Sequence, residues 1–296
     1  MPSDVLRDAY QRDGFIVVPD LLGAAEVAEL REIIAELVAG AGAVDTHTSV
    51  YDLEPGHTRA EPKVRRIKSP HKVHPAFDAV VRRREVMEVL TLLLGPATRL
   101  HNSKLNMKAA RYGSPVEWHQ DWAFYPHTND DLLAIGLYLD DCGMDNGPLM
   151  VIPGSHTGPI LDHHVDGMFC GAIDPSTAGV DFSKAVALTG KAGSMTIHHV
   201  RMVHGSALNT SDRPRRLLLF QYTAVDAFPL LGIPDWEQFN ANIVTGRPTM
   251  EPRLTSVPVR FPLPAASFAG SIYENQRTLG NRYFAVYEEA QAVEPT

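Results

Sequence analysis

The sequence predicts one mainly β domain, an antiparallel sandwich or barrel with helices packed on one sheet. Two observations carry this. Beyond residue 96 the chain runs through short β-prone segments at 98–111, 133–140, 149–152, 186–189, 193–199 and 216–224, punctuated by Gly, Pro, Asn and Asp. Short strands at such spacing point to a sandwich or barrel. Long helical periodicity is confined to the first 95 residues. With no internal repeat and no linker, residues 1–296 read as a single domain. Its parts are a helical N-terminal portion with a loop (1–95), the β core (96–226) and a Pro-rich C-terminal extension (227–296).

Taken in order, residues 3–12 form a short predicted helix with Ser3 as N-cap. Phe15-Ile16-Val17-Val18 is a β-branched run bounded by Gly14 and Pro19, hence a strand. From Ala24 to Ala39, Val27, Leu30, Ile33, Ile34, Leu37 and Val38 recur at helical spacing, with Glu26, Glu29, Glu32 and Glu36 between them. That pattern is an amphipathic helix ending at Gly40. Residues 41–75 are polar, rich in His, Pro and Gly, and without a period. They are expected to form a long loop serving as a substrate-side lid, from which Tyr51, His57, Arg59, Arg65 and Arg66 could reach a bound molecule. Residues 76–94 are helical again.

Composition narrows the function. At 44% apolar and 21% charged residues, the chain is neither disordered nor of low complexity. Its formal net charge of −8 argues against nucleic acid or an anionic membrane surface held by charge. Two cysteines, Cys142 and Cys170, make neither a disulfide framework nor a Cys-rich zinc site. No stretch approaches the ~20 apolar residues of a membrane span, and the N-terminus lacks a secretory pattern. The expected setting is the cytoplasm, with a small-molecule substrate and no nucleic-acid or membrane partner.

Chemistry concentrates in two places. In Trp118-His119-Gln120-Asp121-Trp122, an HxD triplet on a strand aims an imidazole and a carboxylate at one spot. Downstream, His204-Gly205-Ser206 follows an apolar run, and Arg215 opens the strand of Arg216–Tyr222. Two histidines and one carboxylate make a facial triad that suits non-haem Fe(II) and leaves coordination positions open. A strand-borne arginine close by could pair with a carboxylate through both arms of its fork.

Four motifs follow one another along the chain: Asp13-Gly14-Phe15-Ile16-Val17-Val18-Pro19; His119-Gln120-Asp121 with Trp122-Ala123-Phe124-Tyr125-Pro126; Asn146-Gly147-Pro148-Leu149-Met150-Val151-Ile152-Pro153-Gly154-Ser155-His156; and His204-Gly205-Ser206 with Asn209, Ser211 and Arg215. In this order they resemble the phytanoyl-CoA dioxygenase family, a branch of the Fe(II)/2-oxoglutarate-dependent oxygenases that includes ectoine hydroxylase. The resemblance covers most of the chain and implies a double-stranded β-helix, a jelly-roll core of two facing sheets. It implies that His119, Asp121 and His204 bind Fe(II), that Arg215 holds the distal carboxylate of 2-oxoglutarate, and that Ser206 supports the same group. Gln120 falls where the family places a polar group near cosubstrate or substrate. Lys104, on the strand before HxD, is a further candidate for the cosubstrate pocket. The implied reaction consumes O2 and 2-oxoglutarate, releases succinate and CO2, and hydroxylates a small organic acid, amino-acid derivative or secondary metabolite. Related halogenases carry a small residue in place of Asp121, so its presence favours hydroxylation. Desaturation, epoxidation, cyclisation and acyl-CoA hydroxylation stay open.

Other polar residues have plainer roles. On an alternating strand only one of Arg215 and Arg216 can enter the barrel. Trp118 and Trp122 are expected to pack, and His156 to sit in a structural turn. His198 shares a face with His204 and is expected as a hydrogen-bonded core histidine, and His163-His164 as a solvated loop. Two other classes remain as alternatives. A zinc hydrolase could use the same triad but has no need of Arg215 and Ser206. A non-catalytic binding protein would tolerate a broken triad, and this one is intact.

Overall fold

The computed structural model describes residues 3–268 and 272–286. Helix α1 (Ser3–Asp13) turns into strand β1 (Phe15–Val18) at Gly14, where φ is +81°. A Cβ there would lie 2.4 Å from Nδ1 of His156, so both the backbone angle and the space require glycine. Helix α2 (Ala24–Gly40) buries Val27, Leu30 and Ile34 along one stripe, as its periodicity predicts. Its first turn is closed by the Gly23 amide donating to Glu26 Oε2 at 2.9 Å. The predicted helix over 76–94 is two helices, α4 (Pro75–Val81) and α5 (Arg84–Leu94), after a single turn α3 (Pro70–Val73). The break falls at Arg83, which is extended (ψ 137°) and whose guanidinium is held by Glu26 and Glu85.

The stretch 41–75 is not the single aperiodic loop that its composition suggests, and Arg66 within it lines an internal cavity. It contains β2 (Tyr51–Leu53) and β3 (Val64–Lys68), and β3 pairs antiparallel with β4 (Thr98–Lys108). Ile67 is fully buried. Arg65 and Arg66 are buried as well, the first paired with Glu274 and the second facing Asp52 at 3.6 Å. Two adjacent buried arginines erase the apolar–polar alternation by which a strand is recognised.

The remaining strands are β5 (Val116–His119), β6 (Leu132–Tyr138), β7 (Leu149–Val151), β8 (His164–Val165), β9 (Met168–Phe169), β10 (Val186–Leu188), β11 (Met195–His199), β12 (His204–Ser206), β13 (Arg215–Ala224) and β14 (Ile243–Thr245). One sheet runs β1-β11-β6-β13-β4-β3-β2 with β14 also on β4, the other β10-β7-β12-β5, and β8 pairs with β9. All pairs are antiparallel and sequence neighbours are rarely sheet neighbours. This is the crossing-over of a jelly roll, the double-stranded β-helix expected above. Two short helices, α6 (Trp236–Ala241) and α7 (Ile272–Asn275), lie in the C-terminal segment. Among the described residues, no helix is long and apolar enough to cross a membrane.

Period-two alternation divides the large sheet's faces. On β13, Leu218, Phe220 and Tyr222 join the core formed with Leu30, Phe77 and Leu90 of the helices. Arg215, Leu217, Leu219 and Gln221 face an internal cavity. On β4, Leu105 and Met107 enter the same core, while Asn102, Lys104, Asn106 and Lys108 line the cavity. Removing a core ring leaves a void that the neighbours refill only partly. Phe220→Ala is therefore expected to cost about 3–5 kcal/mol in urea unfolding, with Fe(II) affinity of the folded protein unchanged. A loss under about 1 kcal/mol would place Phe220 outside the core.

Candidate active site

His119 ends β5 and His204 opens β12, and the two are register partners across this antiparallel pair. Hydrogen-bonded strands thus set two imidazoles side by side, ring centroids 4.1 Å apart. Asp121 does not share the strand, as an HxD strand would have it. It begins a short 3-10 turn (Asp121–Ala123) immediately after β5. Ligand atoms of all three residues lie within 4.8 Å of one another, and all three side chains are buried.

The donor set fits a divalent metal in detail. His119 Nδ1 lies 2.8 Å from the Glu117 carbonyl and His204 Nδ1 2.9 Å from the Met202 carbonyl. Only Nδ1–H can satisfy a carbonyl, so Nε2 of each ring keeps its lone pair for a metal. Burial pushes both histidines below their usual pKa, His204 strongly, which keeps them neutral and ligating. Burial works to raise the Asp121 carboxyl. The approach of His198, at 3.7 Å, and the neighbouring His204 and Lys104 hold it well below the ordinary range instead. The Gln221 amide donates to Asp121 Oδ2 at 2.7 Å and also contacts the Tyr125 hydroxyl. One carboxylate oxygen is thereby tethered and the other left toward the histidines.

His198 lines the cavity as its strand position predicts, with its ring 4.5 Å from that of His204. It is not the hydrogen-bonded core histidine expected, since among the described residues neither ring nitrogen has a hydrogen-bond partner.

The triad opens onto a cavity of about 580 Å³. At one end Arg215 donates to the Gly147 carbonyl from Nε (3.1 Å) and Nη2 (2.6 Å). Gly147 has φ +71°, and a Cβ there would come 2.5 Å from the Ala207 carbonyl. The mid-chain Asn-Gly thus aims the arginine. Lys108 is Arg215's cross-strand partner, and its ammonium donates to the carbonyls of Ser206 (3.3 Å) and Ala207. Burial pulls the Lys108 pKa well down and the Arg215 charge adds to this. Two buried basic side chains whose hydrogen-bond acceptors, among the described residues, are backbone carbonyls form a pole that a carboxylate would complete. Ser206 lines the same cavity. Lys108 escaped the sequence reading, although the alternation Asn102, Lys104, Asn106, Lys108 could have found it. Arg216 points the other way and pairs with Asp140 at 2.6 Å.

Lys104 also lines the cavity, but four residues along β4 from Lys108, opposite Leu219. Gln120 does not line it. Its amide donates to the carbonyls of Pro159 (3.1 Å) and Arg201 (2.9 Å) and accepts from Leu161 N (2.9 Å), so its expected place beside the cosubstrate is corrected to a brace. His163 is likewise no solvated residue: it is buried and accepts the Gln120 backbone N–H at 2.9 Å. Burial takes its pKa down to about 3. Trp118 packs on Phe182 and Phe284, and Trp122 donates to the Pro258 carbonyl, both buried as expected. His156 sits in its turn, bonded to the Gln11 carbonyl. Phe124 and Phe169 also line the cavity, together with Phe268, Ile272 and Tyr273 of the C-terminal segment.

Comparison with known proteins agrees with this geometry. A profile of the phytanoyl-CoA dioxygenase (PhyH) family matches residues 10–217. A probable alpha-ketoglutarate-dependent hypophosphite dioxygenase of Stutzerimonas stutzeri is 39% identical over 279 residues, 93% of this chain and 97% of that protein. The L-proline trans-4-hydroxylase of Streptomyces griseoviridis is 31% identical, covering 74% of this chain and 86% of that protein. The crystal structure of EctD from S. alaskensis with 2-oxoglutarate and 5-hydroxyectoine superposes with a TM-score of 0.63 at 27% identity, covering 88% of each chain.

Proposed function

The chain belongs to the phytanoyl-CoA dioxygenase (PhyH) family and is an Fe(II)- and 2-oxoglutarate-dependent dioxygenase, and from that premise we propose that it hydroxylates a small polar molecule in the cavity between its sheets. The observation that carries this reading is the union, in one cavity, of the His119–Asp121–His204 triad and the Arg215–Lys108 pole. His119, Asp121 and His204 would hold Fe(II). Arg215, Lys108 and Ser206 would hold the distal carboxylate of 2-oxoglutarate. The bound iron and cosubstrate supply O2 activation coupled to decarboxylation, with succinate and CO2 released. The protein's own part is orientation and exclusion of water. Gln221 fixes the Asp121 carboxylate, and Phe124, Phe169 and Phe268 give the cavity an apolar wall.

A small substrate is favoured over an acyl-CoA. The basic runs that could meet a CoA phosphate are already paired: Arg82 with Asp78, Arg83 with Glu26, Arg84 with Glu88 and Arg65 with Glu274. The likeness to a probable hypophosphite dioxygenase over nearly the full length of both chains supports the same choice. Two buried free thiols, Cys142 and Cys170, support a reducing, cytoplasmic setting.

The test is O2 uptake and succinate release with Fe(II), 2-oxoglutarate and a panel of hypophosphite, L-proline, ectoine and phytanoyl-CoA. Stimulation by a small member of the panel supports the reading, and stimulation by the CoA thioester alone overturns it. A second variant addresses positioning. Gln221→Leu removes the tether on Asp121, and partners of metal ligands are worth about 10–100-fold. It is expected to lower kcat by that factor while 2-oxoglutarate affinity stays within about twofold. An unchanged kcat would show that Asp121 needs no support from Gln221.

A further inference from the structure

The hairpin of β8 and β9 and the chain segment 257–268 meet on one side of the cavity. Phe169 and Cys170 line it from the hairpin end, Ala265, Ala266 and Phe268 from the segment. No residue from 251 to 268 is buried, and Val259, Phe261, Leu263 and Phe268 are exposed. Apolar burial therefore does little to hold this strap, and a stretch with few buried contacts opens at small cost. Polar ties hold it instead. The Pro258 carbonyl accepts from Trp122 Nε1 at 2.9 Å, and the Pro264 carbonyl from the Phe169 backbone N–H at 3.0 Å. The Asn275 side chain brackets the Phe268 backbone. Two further ties run through Asp162: Arg260 of the strap meets its Oδ2 at 2.7 Å, and His164 bridges its Oδ1 to the strap.

His164 was expected in solvent, yet its side chain is only 11% exposed. Nδ1 lies 2.8 Å from Asp162 Oδ1 and Nε2 3.1 Å from the Leu263 carbonyl. Both partners only accept. Burial works to raise the Asp162 carboxyl, but its bond to His164 and the Arg260 charge hold it below the ordinary range, so it is ionised. A neutral imidazole has one N–H and cannot serve two acceptors, whereas an imidazolium has two. The geometry is that of the imidazolium. When the proton leaves, the remaining N–H stays with the carboxylate, the stronger acceptor. Nε2 then turns a lone pair on the Leu263 carbonyl, and a tie becomes a repulsion. The groups around the ring are Asp162, Asp166 of the hairpin turn, Arg260 of the strap, the Phe169 ring at 5.5 Å and the buried His163. Arg260 keeps its pair with Asp162 in either state, so deprotonation loosens the strap without freeing it.

We propose that His164 is a proton-operated latch. Protonated, it fastens the strap 257–268 to the β8–β9 hairpin and closes this side of the cavity; neutral, it lets the strap swing and small molecules pass. Histidine ordinarily changes charge between about pH 5 and pH 8. The closed form belongs to the acid side of that range and the open form to the alkaline side. The latch does not depend on the dioxygenase reading, and neither does its test.

Amide hydrogen exchange of the whole chain is followed from about pH 5 to pH 8, corrected for the intrinsic pH dependence of exchange. In wild type, protection of 257–268 is expected to fall by roughly tenfold or more across that range, the worth of one hydrogen bond to a charged group. Its midpoint should match the His164 ring titration read by NMR, while β13 stays protected. His164→Gln should show the alkaline protection at every pH. His164→Arg, charged throughout and with donors for both acceptors, should show the acid protection at every pH. Passage is read at Cys170, a buried thiol that lines the cavity beside the strap. A small neutral thiol reagent is used, and the rate for wild type divided by that for His164→Arg cancels the ionisation of the thiol. That ratio should rise with pH in step with the loss of protection. The latch is overturned if wild-type protection of 257–268 is flat with pH, if His164→Gln keeps the wild-type pH dependence, or if the His164 ring is neutral at the acid end. A labelling ratio that stays constant while protection changes would overturn the role in passage. The wild-type series needs no variant to fold.

Discussion

His204→Ala is expected to lose Fe(II) binding and to reduce turnover below about 0.1% of wild type, some 4 kcal/mol at 1.4 kcal/mol per decade. The imidazole is one of three candidate ligands, its Nδ1 is committed to the Met202 carbonyl, and its Nε2 lone pair is the group it would offer to a metal. With one of the two imidazoles gone, the site keeps neither the affinity nor the orientation of the open positions. Asp121→Ala and His119→Ala should behave alike. His198 gives this prediction its edge, because its unpartnered ring lies 4.5 Å from that of His204. Residual activity in His204→Ala that vanishes in the His198→Ala/His204→Ala double variant would mean that His198 substitutes as ligand. Full activity in the double variant would remove His204 from the site altogether. His199 is no candidate, since its ring packs on Tyr10 and His156, away from the cavity. The measurements are iron content after dialysis and succinate release, with circular dichroism to establish that the fold survives.

Arg215→Ala is expected to weaken 2-oxoglutarate by roughly 30-fold or more. Truncating one side of a buried charge-assisted pair costs about 2–5 kcal/mol, and 1.4 kcal/mol is a factor of ten. The variant also strands the Gly147 carbonyl, which accepts two N–H bonds from the guanidinium. Binding should not vanish, because Lys108 remains at the same pole. Arg215→Lys should recover only part, as an ammonium lacks the planar fork that meets Gly147 and a carboxylate at once. Anaerobic titration of the iron-loaded protein measures this directly. Equal dissociation constants for wild type and Arg215→Ala would move the distal carboxylate elsewhere. Arg216 could not inherit the role, being held by Asp140 on the opposite face of the strand.

What the sequence shows and what it hides follow one division. The helices of 3–13 and 24–40 and the strands of the core were legible because their burial is one-sided, so polarity alternates with the period of the element. The region 41–75 was not, because buried ion pairs put charge where a strand would carry apolar residues. Gln120 and His163 misled for the opposite reason. Both are polar, yet the His163 ring accepts the Gln120 backbone N–H and the Gln120 side chain braces Pro159, Leu161 and Arg201, and residue type does not say whether a polar group faces a ligand or a peptide.

By itself the sequence determined the candidate chemistry: two histidines, a carboxylate, a serine and an arginine in one order, since the capacity for metal binding and charge pairing resides in the side chains themselves. It also determined that only one of Arg215 and Arg216 enters the barrel, because a strand's faces alternate. Tertiary structure alone decided that Lys108 rather than Lys104 joins Arg215. Both lysines lie on the inward face of β4, and what separates them is the register of β4 against β13, which pairs Lys108 with Arg215 and Lys104 with Leu219. Register is a property of two strands together, fixed by the packing of both faces, and no single stretch of sequence contains it.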